Sequence, residues 1–460
     1  MSMFAVHAGE HSSRSPVRQL SWGARWSLLL LLVTLPWRFR LWEFEQPAPP
    51  IYTDFTNLLF TLSDLFLLLL LLFWGSQLWL TGTRPRLGPR FIVWPLAGVV
   101  ITAVFSVPFS VSPLLSGWQA LRLILAFGLY LYIVNEPFDF TWLGWGVAGM
   151  AYLQAVFAIT QVWQQADLGW QWLGERPLDP FGGSAFVWAA GGQRSLRAYG
   201  LTDHPNILGI SLGIGLLLLL IWLLTANKEA TGWMLWGVVS VTAVALLLTF
   251  SRRAWGAFAW GVAGVAMLLW VQGQKRPFRQ WLLHSGWLLL ILLPFAWGNL
   301  HFLRPGQDNA TLAIHIQEQQ FIHKEETALL QAANTLFIQH AVTGTGIGTF
   351  PLALQAIRPD FPYDYQPPRM ALLAAAAEIG LFGALFYTLL YVLPWAFFWL
   401  NRQHHKQNLL LIGLTGTLIA WSLFALVDAY AWFNPAGRLW QLILWGVWAK
   451  HWDKKEVVHG

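Results

Sequence analysis

The stretch NILGISLGIGLLLLLIWLL, residues 206–224, decides the class of fold, because no charged side chain interrupts it. A membrane-spanning helix needs about 20 mostly apolar residues, so this stretch is long enough to cross a bilayer. Inside lipid, the polar groups of its backbone are satisfied when the segment is helical. The stretch therefore predicts a transmembrane α-helix.

Similar apolar runs occur on both sides of this stretch. With it they make twelve candidate spans, near residues 22–37, 55–80, 91–109, 118–134, 141–163, 206–224, 233–250, 254–272, 281–297, 371–400, 408–428 and 436–450. The first run follows a long basic segment and has no small-residue cleavage site after it, so we interpret it as a retained span. We expect an all-α polytopic membrane protein with about twelve transmembrane helices.

Composition supports this class and excludes others. The chain is 56% hydrophobic and 11% charged, whereas about 25% of the residues in a soluble domain are charged. Many of the 31 Trp residues lie at the ends of apolar runs, as is typical of an interfacial aromatic belt. With no Cys, disulfides and thiolate metal sites are excluded. The net charge of +6 is scattered over short connections, so we do not expect nucleic-acid binding.

The basic residues of the connections predict the orientation. If the N-terminus is cytoplasmic, the inner segments hold fifteen Lys and Arg residues, and the outer segments hold eight when the longest loop is left aside. Cytoplasmic loops carry the excess of Lys and Arg, so we expect both termini on the cytoplasmic side of the cell membrane.

The predicted topology gives three parts. Residues 1–297 contain helices 1 to 9, residues 298–370 form a large extracytoplasmic loop, and residues 371–460 contain helices 10 to 12 and a cytoplasmic tail. In the loop, helical spacing of apolar residues predicts an amphipathic helix over 325–340. It is followed by the Gly-rich turn TGTGIGTFP, residues 343–351. Gly380 and Gly383, in helix 10, are expected to allow close helix packing.

Arginines recur at the outer ends of the predicted helices. Arg197 lies in LRAYGLTDHPNILG, Arg252 and Arg253 lie in TFSRRAWGAF, and Arg369 stands at the entry to helix 10. Converging guanidinium groups provide the bidentate, permanently charged hydrogen bonds that a phosphate or pyrophosphate requires. The alternative is that each arginine extends towards lipid headgroups. We interpret Arg197 and Arg252 together as a phosphate site.

Other polar residues are candidates for chemistry. Asp203 fits a helix cap, and His204 is a candidate base or ligand. Glu378 and Arg122 lie within predicted spans, so each needs a buried partner, which for Glu378 we expect to be an arginine. The histidines of the long loop, His301, His315, His323 and His340, have no spacing that specifies a metal site.

The order of these motifs resembles the O-antigen ligase family and the related O-antigen polymerases. The resemblance rests on RAYGLTDHPN, SRRAW, ALLQAANTLFIQHAVTGTGIGTF and AEIGLFG, and covers most of residues 90–430. It implies a metal-independent membrane glycosyltransferase of the GT-C type without a cofactor. Such ligases transfer a glycan from undecaprenyl pyrophosphate to the lipid A core, while relatives use other acceptors or polymerise repeat units. It also implies that Arg197 and Arg252 hold the donor pyrophosphate.

The chain departs from the family pattern where the family has its catalytic histidine. That position, nine residues before Glu378, is Arg369. Unlike histidine, arginine cannot accept a proton near neutral pH. Three explanations follow: arginines stabilise the leaving group with little help from a base; His204, His340 or Asp360 supplies the base; or the protein binds a lipid-linked glycan without transferring it.

The sequence thus predicts an O-antigen ligase-like glycosyltransferase. It would act on an undecaprenyl-pyrophosphate-linked glycan donor and a lipid or glycan acceptor, at the outer face of the inner membrane and in contact with membrane lipids. We assign Arg369 and His204 to catalysis and Arg197, Arg252, Arg253 and Glu378 to substrate binding. The alternative functions are a transporter or flippase and a non-catalytic binding protein for such glycans.

Overall fold

The structure is a computed structural model that describes residues 5–136, 139–179, 181, 184–188, 194–225, 232–299, 302 and 309–452. Its helices are α1 Ala5–Thr34, α2 Leu62–Thr81, α3 Arg90–Ser106, α4 Pro113–Asn135, α5 Phe140–Gln164, α6 Pro205–Thr225, α7 Gly232–Leu248, α8 Arg252–Val271, α9 Lys275–Gly298, α10 Asn309–Gln339, α11 Phe350–Ile357, α12 Ala371–Leu400, α13 Leu409–Val427, α14 Tyr430–Phe433 and α15 Pro435–Trp452. The predicted all-α polytopic membrane fold is confirmed.

Each of the twelve predicted runs overlaps a helix, but the run 55–80 began too early, because residues 58–61 form strand β2 and α2 begins at Leu62. Among the described residues, nine helices are long and apolar enough to cross a membrane, namely α2–α6, α8, α9, α12 and α13. Helix α7 is apolar but has only 17 residues. The first and last runs lie in α1 and α15, which do not meet the same combination of length and hydropathy. This count is lower than the expected twelve, because three of the runs are short or less apolar.

The helices pack around two central ones. In α6, 83% of the most apolar stretch is buried, against 11% in α9, which therefore lies at the edge of the bundle. Almost every side chain of α15 is also buried. Helix α6 contacts α5, α7, α8 and α13, while α15 packs on α4 and α13. Helix α6 is apolar on all sides because it is surrounded by other helices.

One end of the bundle, which we call the cavity end, carries the larger connections. It is formed by the first residues of α2, α4, α6, α8, α12 and α15. Two antiparallel strand pairs lie in its connections: β1 Arg40–Phe44 with β2 Leu58–Thr61, and β3 Phe186–Trp188 with β4 Arg194–Leu196. A capping box between Thr61 and Asp64 fixes the start of α2.

A glycine interrupts α12 near the cavity end. Gly380 has φ 70° and ψ −173°, a region that is almost restricted to glycine. The Gly-rich turn fills the break: the N–H of Gly346 donates to the carbonyl of Glu378 at 3.0 Å, and that of Leu381 donates to Ala341 at 2.7 Å. A Cβ on Gly344 would lie 2.1 Å from the Glu378 carbonyl oxygen. A glycine is therefore required at position 380 for this backbone conformation, in addition to the close packing that was expected.

Helices α10 and α11 form a small second core at the cavity end. The predicted amphipathic helix is the second half of α10. Its Leu329, Ala333 and Leu336 are buried against Phe350 of α11. Leu330, which was expected on the apolar face, is 37% exposed. The predicted helix is therefore present, but its buried face is narrower than the spacing of its apolar residues predicted.

Candidate functional site

A cavity of about 370 Å³ opens at the cavity end of the bundle. Its wall combines the connection between α1 and α2, the start of α6, the start of α8, the residues before α12 and the connection between α13 and α15. Six arginines and three aspartates line it: Arg38, Arg40, Arg122, Arg176, Arg253, Arg369, Asp54, Asp203 and Asp428. Arginines outnumber aspartates in the wall, so whether the wall attracts an anion depends on which arginines pair with carboxylates behind it.

Three of these arginines are neutralised by nearby carboxylates. Arg38 contacts Asp203, and Arg40 Nη2 lies 2.5 Å from Asp54 Oδ1. Arg122 makes a bidentate pair with Asp64 of α2, at 3.1 Å to Oδ1 and 2.7 Å to Oδ2. The buried partner that was expected for Arg122 is therefore Asp64.

Arg253 and Arg369 share one carboxylate of α10. Glu326 Oε1 accepts a hydrogen bond from Arg369 Nη1 at 2.5 Å and another from Arg253 Nη2. Arg253 also faces Asp428 at 3.3 Å, and Arg369 lies 3.7 Å from Glu325. These pairs fasten α10 to the wall of the cavity.

Arg176 and Arg197 are held by neutral groups instead. Arg176 Nη1 donates to the carbonyl of Asp203 at 2.9 Å. Arg197 donates to the carbonyl of Thr249 at 2.7 Å and to Asn206 Oδ1 at 2.8 Å. Within the described part of the chain, neither makes an ion pair with a carboxylate. Burial lowers the pKa of Arg197 to about 10, so it still carries its charge at neutral pH.

His204 is close enough to both cations for their charges to act on its ring. Its Nδ1 accepts a hydrogen bond from the backbone N–H of Asn206 at 3.1 Å. Burial lowers the pKa of His204 to about 3, and the charges of Arg197, Arg176, Arg369 and Arg253 act in the same direction. The ring is therefore neutral at pH 7, with its proton on Nε2. It can donate a hydrogen bond into the cavity, but Nδ1 is not available as a base.

Glu378 is fully buried and does not line the cavity. Its carboxylate accepts hydrogen bonds from the N–H groups of Gly348 at 2.8 Å and Phe350 at 3.0 Å, and from Trp432 Nε1 at 2.7 Å. Among the described residues, no arginine makes the ion pair that was expected for it. The carboxylate instead accepts from the N–H of Gly348 in the Gly-rich turn and from that of Phe350, the first residue of α11.

The cavity thus brings together three of the six predicted site residues, Arg253, Arg369 and His204. Arg197 and Arg252 do not line it; Arg252 is exposed, and its charge acts on Arg197. The charge of Arg197 lowers the pKa of His204, so Arg197 and Arg252 lie next to the cavity on the side of that histidine. The two suggested alternative bases, His340 and Asp360, are not part of the cavity wall.

Sequence reasoning missed three cavity arginines: Arg38, Arg40 and Arg176. A signal existed, because all three lie in predicted outer connections, where the topology rule disfavours basic residues. His301 and the side chain of His315 lie outside the described residues. Among the side chains that are described, no group of three or more His, Asp or Glu could hold a metal ion.

Comparison with known proteins identifies part of the chain. Residues 237–388 match the family model described as O-antigen ligase. The matched segment runs from α7 into α12 and includes Arg252, Arg253, Arg369 and Glu378. No curated protein matches the chain. The resemblance that the motifs indicated is therefore confirmed over residues 237–388, which do not include RAYGLTDHPN, residues 197–206.

Proposed function

We propose that this chain, whose residues 237–388 match the O-antigen ligase family model, is a membrane glycosyltransferase that uses a saccharide linked to undecaprenyl pyrophosphate. It would transfer that saccharide to an acceptor at the outer face of the inner membrane. The cavity end of the bundle would then face outwards, as the distribution of basic residues predicts.

The observation that carries this proposal is a pair of arginines that make no ion pair within the described residues: Arg176 in the cavity wall, and Arg197, whose charge acts on His204. Arg176 and Arg197 are fixed by carbonyl and amide oxygens, which orient the guanidinium groups without cancelling their charge. A pyrophosphate would supply the missing negative charge and accept bidentate hydrogen bonds. Nε2–H of the neutral His204 ring is a further donor next to both arginines.

Stabilisation of the leaving group is the chemistry that this arrangement supports. When the bond from the sugar to the phosphate breaks, negative charge develops on the pyrophosphate. Preorganised arginines in a partly buried site lower the energy of that charge more than water does. Arg252, close enough to act on Arg197, would add charge from the lipid side.

Arg369 has a different part in this proposal from the family's histidine. Its guanidinium is bound to Glu326, which is also bound to Arg253. We assign Arg369 to holding α10 against the cavity, and we assign His204 to hydrogen bonding of the donor. Glu378, which supports α11 and the Gly-rich turn, would act on the substrate only through them.

Carrier release tests the proposal. The purified protein in nanodiscs would be incubated with an undecaprenyl-pyrophosphate oligosaccharide, with and without lipid and glycan acceptors. We expect free undecaprenyl pyrophosphate and glycosylated acceptor to appear together, and only when an acceptor is present. Donor binding without carrier release for every acceptor would contradict transfer and indicate a binding protein or a transporter.

A further inference from the structure

Asp203 is a cavity carboxylate to which the proposed function gives no part. It directly precedes His204 and lines the same cavity. Its Oδ1 faces Arg38 and lies 3.8 Å from Arg40 Nη2. Its closest contacts with these cations are made by Oδ1, and no hydrogen bond from a described residue reaches Oδ2. The lone pairs of Oδ2 are therefore available to a hydroxyl group in the cavity.

The other two cavity carboxylates are less available. Asp428 uses both oxygens, since Oδ1 accepts from the N–H of Tyr430 at 2.9 Å and Oδ2 faces Arg253 at 3.3 Å. Asp54 is bound to Arg40 at 2.5 Å. The exposed fraction of the side chain is 28% for Asp203, against 14% for Asp54 and 17% for Asp428. Among the three, Asp203 is the carboxylate that a ligand can reach most easily.

Asp203 also lies beside the cations that would bind the pyrophosphate. Its own carbonyl oxygen accepts the hydrogen bond from Arg176, and Arg197 binds Asn206, three residues further along the chain. A base must lie within hydrogen-bond reach of the attacking hydroxyl, and that hydroxyl must lie near the bond to the leaving group. One short segment therefore holds a carboxylate next to the proposed leaving-group site.

The charged groups around Asp203 set its basicity. Burial is the main cause that raises its pKa to about 6, and the charge of Asp54 adds to the shift. Arg38, Arg40 and Arg176 oppose it. His204, its neighbour in sequence, is neutral at this pH and adds no charge. A carboxylate with a pKa near the working pH is a much stronger base than an ordinary aspartate.

We propose that Asp203 is the general base of the transfer, an inference that rests on the proposed function. In the step, Oδ2 takes the proton of the acceptor hydroxyl while the acceptor oxygen forms its bond to the anomeric carbon of the donor saccharide. The bond between that carbon and the pyrophosphate oxygen breaks, and its electron pair leaves with the undecaprenyl pyrophosphate. The proton then passes from Asp203 to water. Asp203 would thus do the work of the histidine that Arg369 replaces.

Three variants in nanodiscs test this assignment: Asp203→Asn, Asp203→Glu and, as a matched control, Asp139→Asn, at an exposed aspartate directly before α5 and outside the cavity. Two quantities are measured, binding of undecaprenyl pyrophosphate and the rate of carrier release from pH 5 to pH 8. Loss of a general base lowers the rate about 10²- to 10⁴-fold. We expect that loss in D203N with unchanged binding, partial recovery in D203E, and no change in D139N.

The pH profile separates a base from a structural role. A base must be deprotonated, so wild-type transfer should fall as the pH is lowered through about 6, and D203N should lack that fall. If the wild type transfers the glycan and D203N does so at the same rate and with the same pH profile, the base assignment is overturned and the proposed function still stands. Absence of transfer in the wild type would overturn both. Loss of carrier binding in D203N would show that Asp203 positions the arginines instead.

Discussion

The two ends of the helix bundle use arginine in different ways. At the end opposite the cavity, Arg84, Arg86, Arg90, Arg276 and Arg279 are exposed. At the cavity end, arginines are held by carboxylates, as Arg122 is by Asp64, or by carbonyl oxygens, as Arg176 is by Asp203. The number of basic residues on a side predicts orientation. The partners of each arginine distinguish a topology signal from a binding group.

The largest effect is expected where an arginine has no carboxylate partner. Replacing Arg197 with Ala should lower the rate of carrier release by at least about 10²- to 10³-fold, the usual cost of losing one donor to a developing charge. Arg197→Lys should recover only part of the rate, because a lysine lacks the planar fork. Arg276→Ala, at the opposite end, is the matched control and should behave as wild type. Equal rates in R197A and R276A would remove the distinction between the two ends.

A large effect on stability is expected at the buried pair of Arg122 and Asp64. Removing one partner of such a pair costs about 3–5 kcal/mol, because a buried charge is left alone. Arg122→Met should therefore lower the thermal midpoint in detergent, followed by tryptophan fluorescence. The double variant Arg122→Met with Asp64→Asn, which removes the charge but keeps an oxygen for the capping box of α2, should recover most of the loss. Equal midpoints for wild type and R122M would show that this pair does not support the cavity wall.

A smaller effect is expected from Arg369→His. Arg369 is held by Glu326 and Glu325 at the rim of the cavity, and its side chain is 30% exposed. Exposed ion pairs contribute about 0–1 kcal/mol, so we expect transfer by R369H to stay within about tenfold of wild type. Carrier release under saturating donor measures this directly. A loss as large as that of R197A would instead place Arg369 on the substrate.

The smallest effect is expected from Glu326→Gln. Burial alone would raise the pKa of Glu326, but the hydrogen bond and charge of Arg369, together with Arg253, lower it below its usual value. The carboxylate therefore remains charged above pH 4.5, and the contact is lost only as the pH falls through the lowered pKa. Hydrogen exchange in α10 at pH 7 should be faster in E326Q than in wild type. Identical exchange would show that α10 is held by its apolar face alone.

The membrane fold could be predicted from the sequence because length and hydrophobicity act locally. Each apolar run became a helix, and the need of Arg122 for a buried partner followed from its place in a span. The identity of that partner could not be predicted, since Asp64 lies 58 residues away in sequence. The role of Gly380 could not be predicted either, because the glycine is required by its backbone angles as well as by packing.

The candidate site was predicted less completely. Arg252 and Arg253 are adjacent, and successive positions of a helix point about 100° apart, so only the folded bundle shows that Arg253 enters the cavity. Asp203 was interpreted as a cap because its motif fits one. Its role in the cavity depends on Arg38 and Arg40, which a separate connection brings beside it.

The position of the bound carrier tests the central claim most directly. An experimental structure of the protein in nanodiscs with undecaprenyl pyrophosphate would locate the two phosphates. We predict that they lie in the cavity, within hydrogen-bond distance of Arg176 and of Nε2 of His204, on the side where Arg197 adjoins that histidine. A diphosphate bound at the opposite end of the bundle, or in contact only with lipid-facing arginines, would contradict the account.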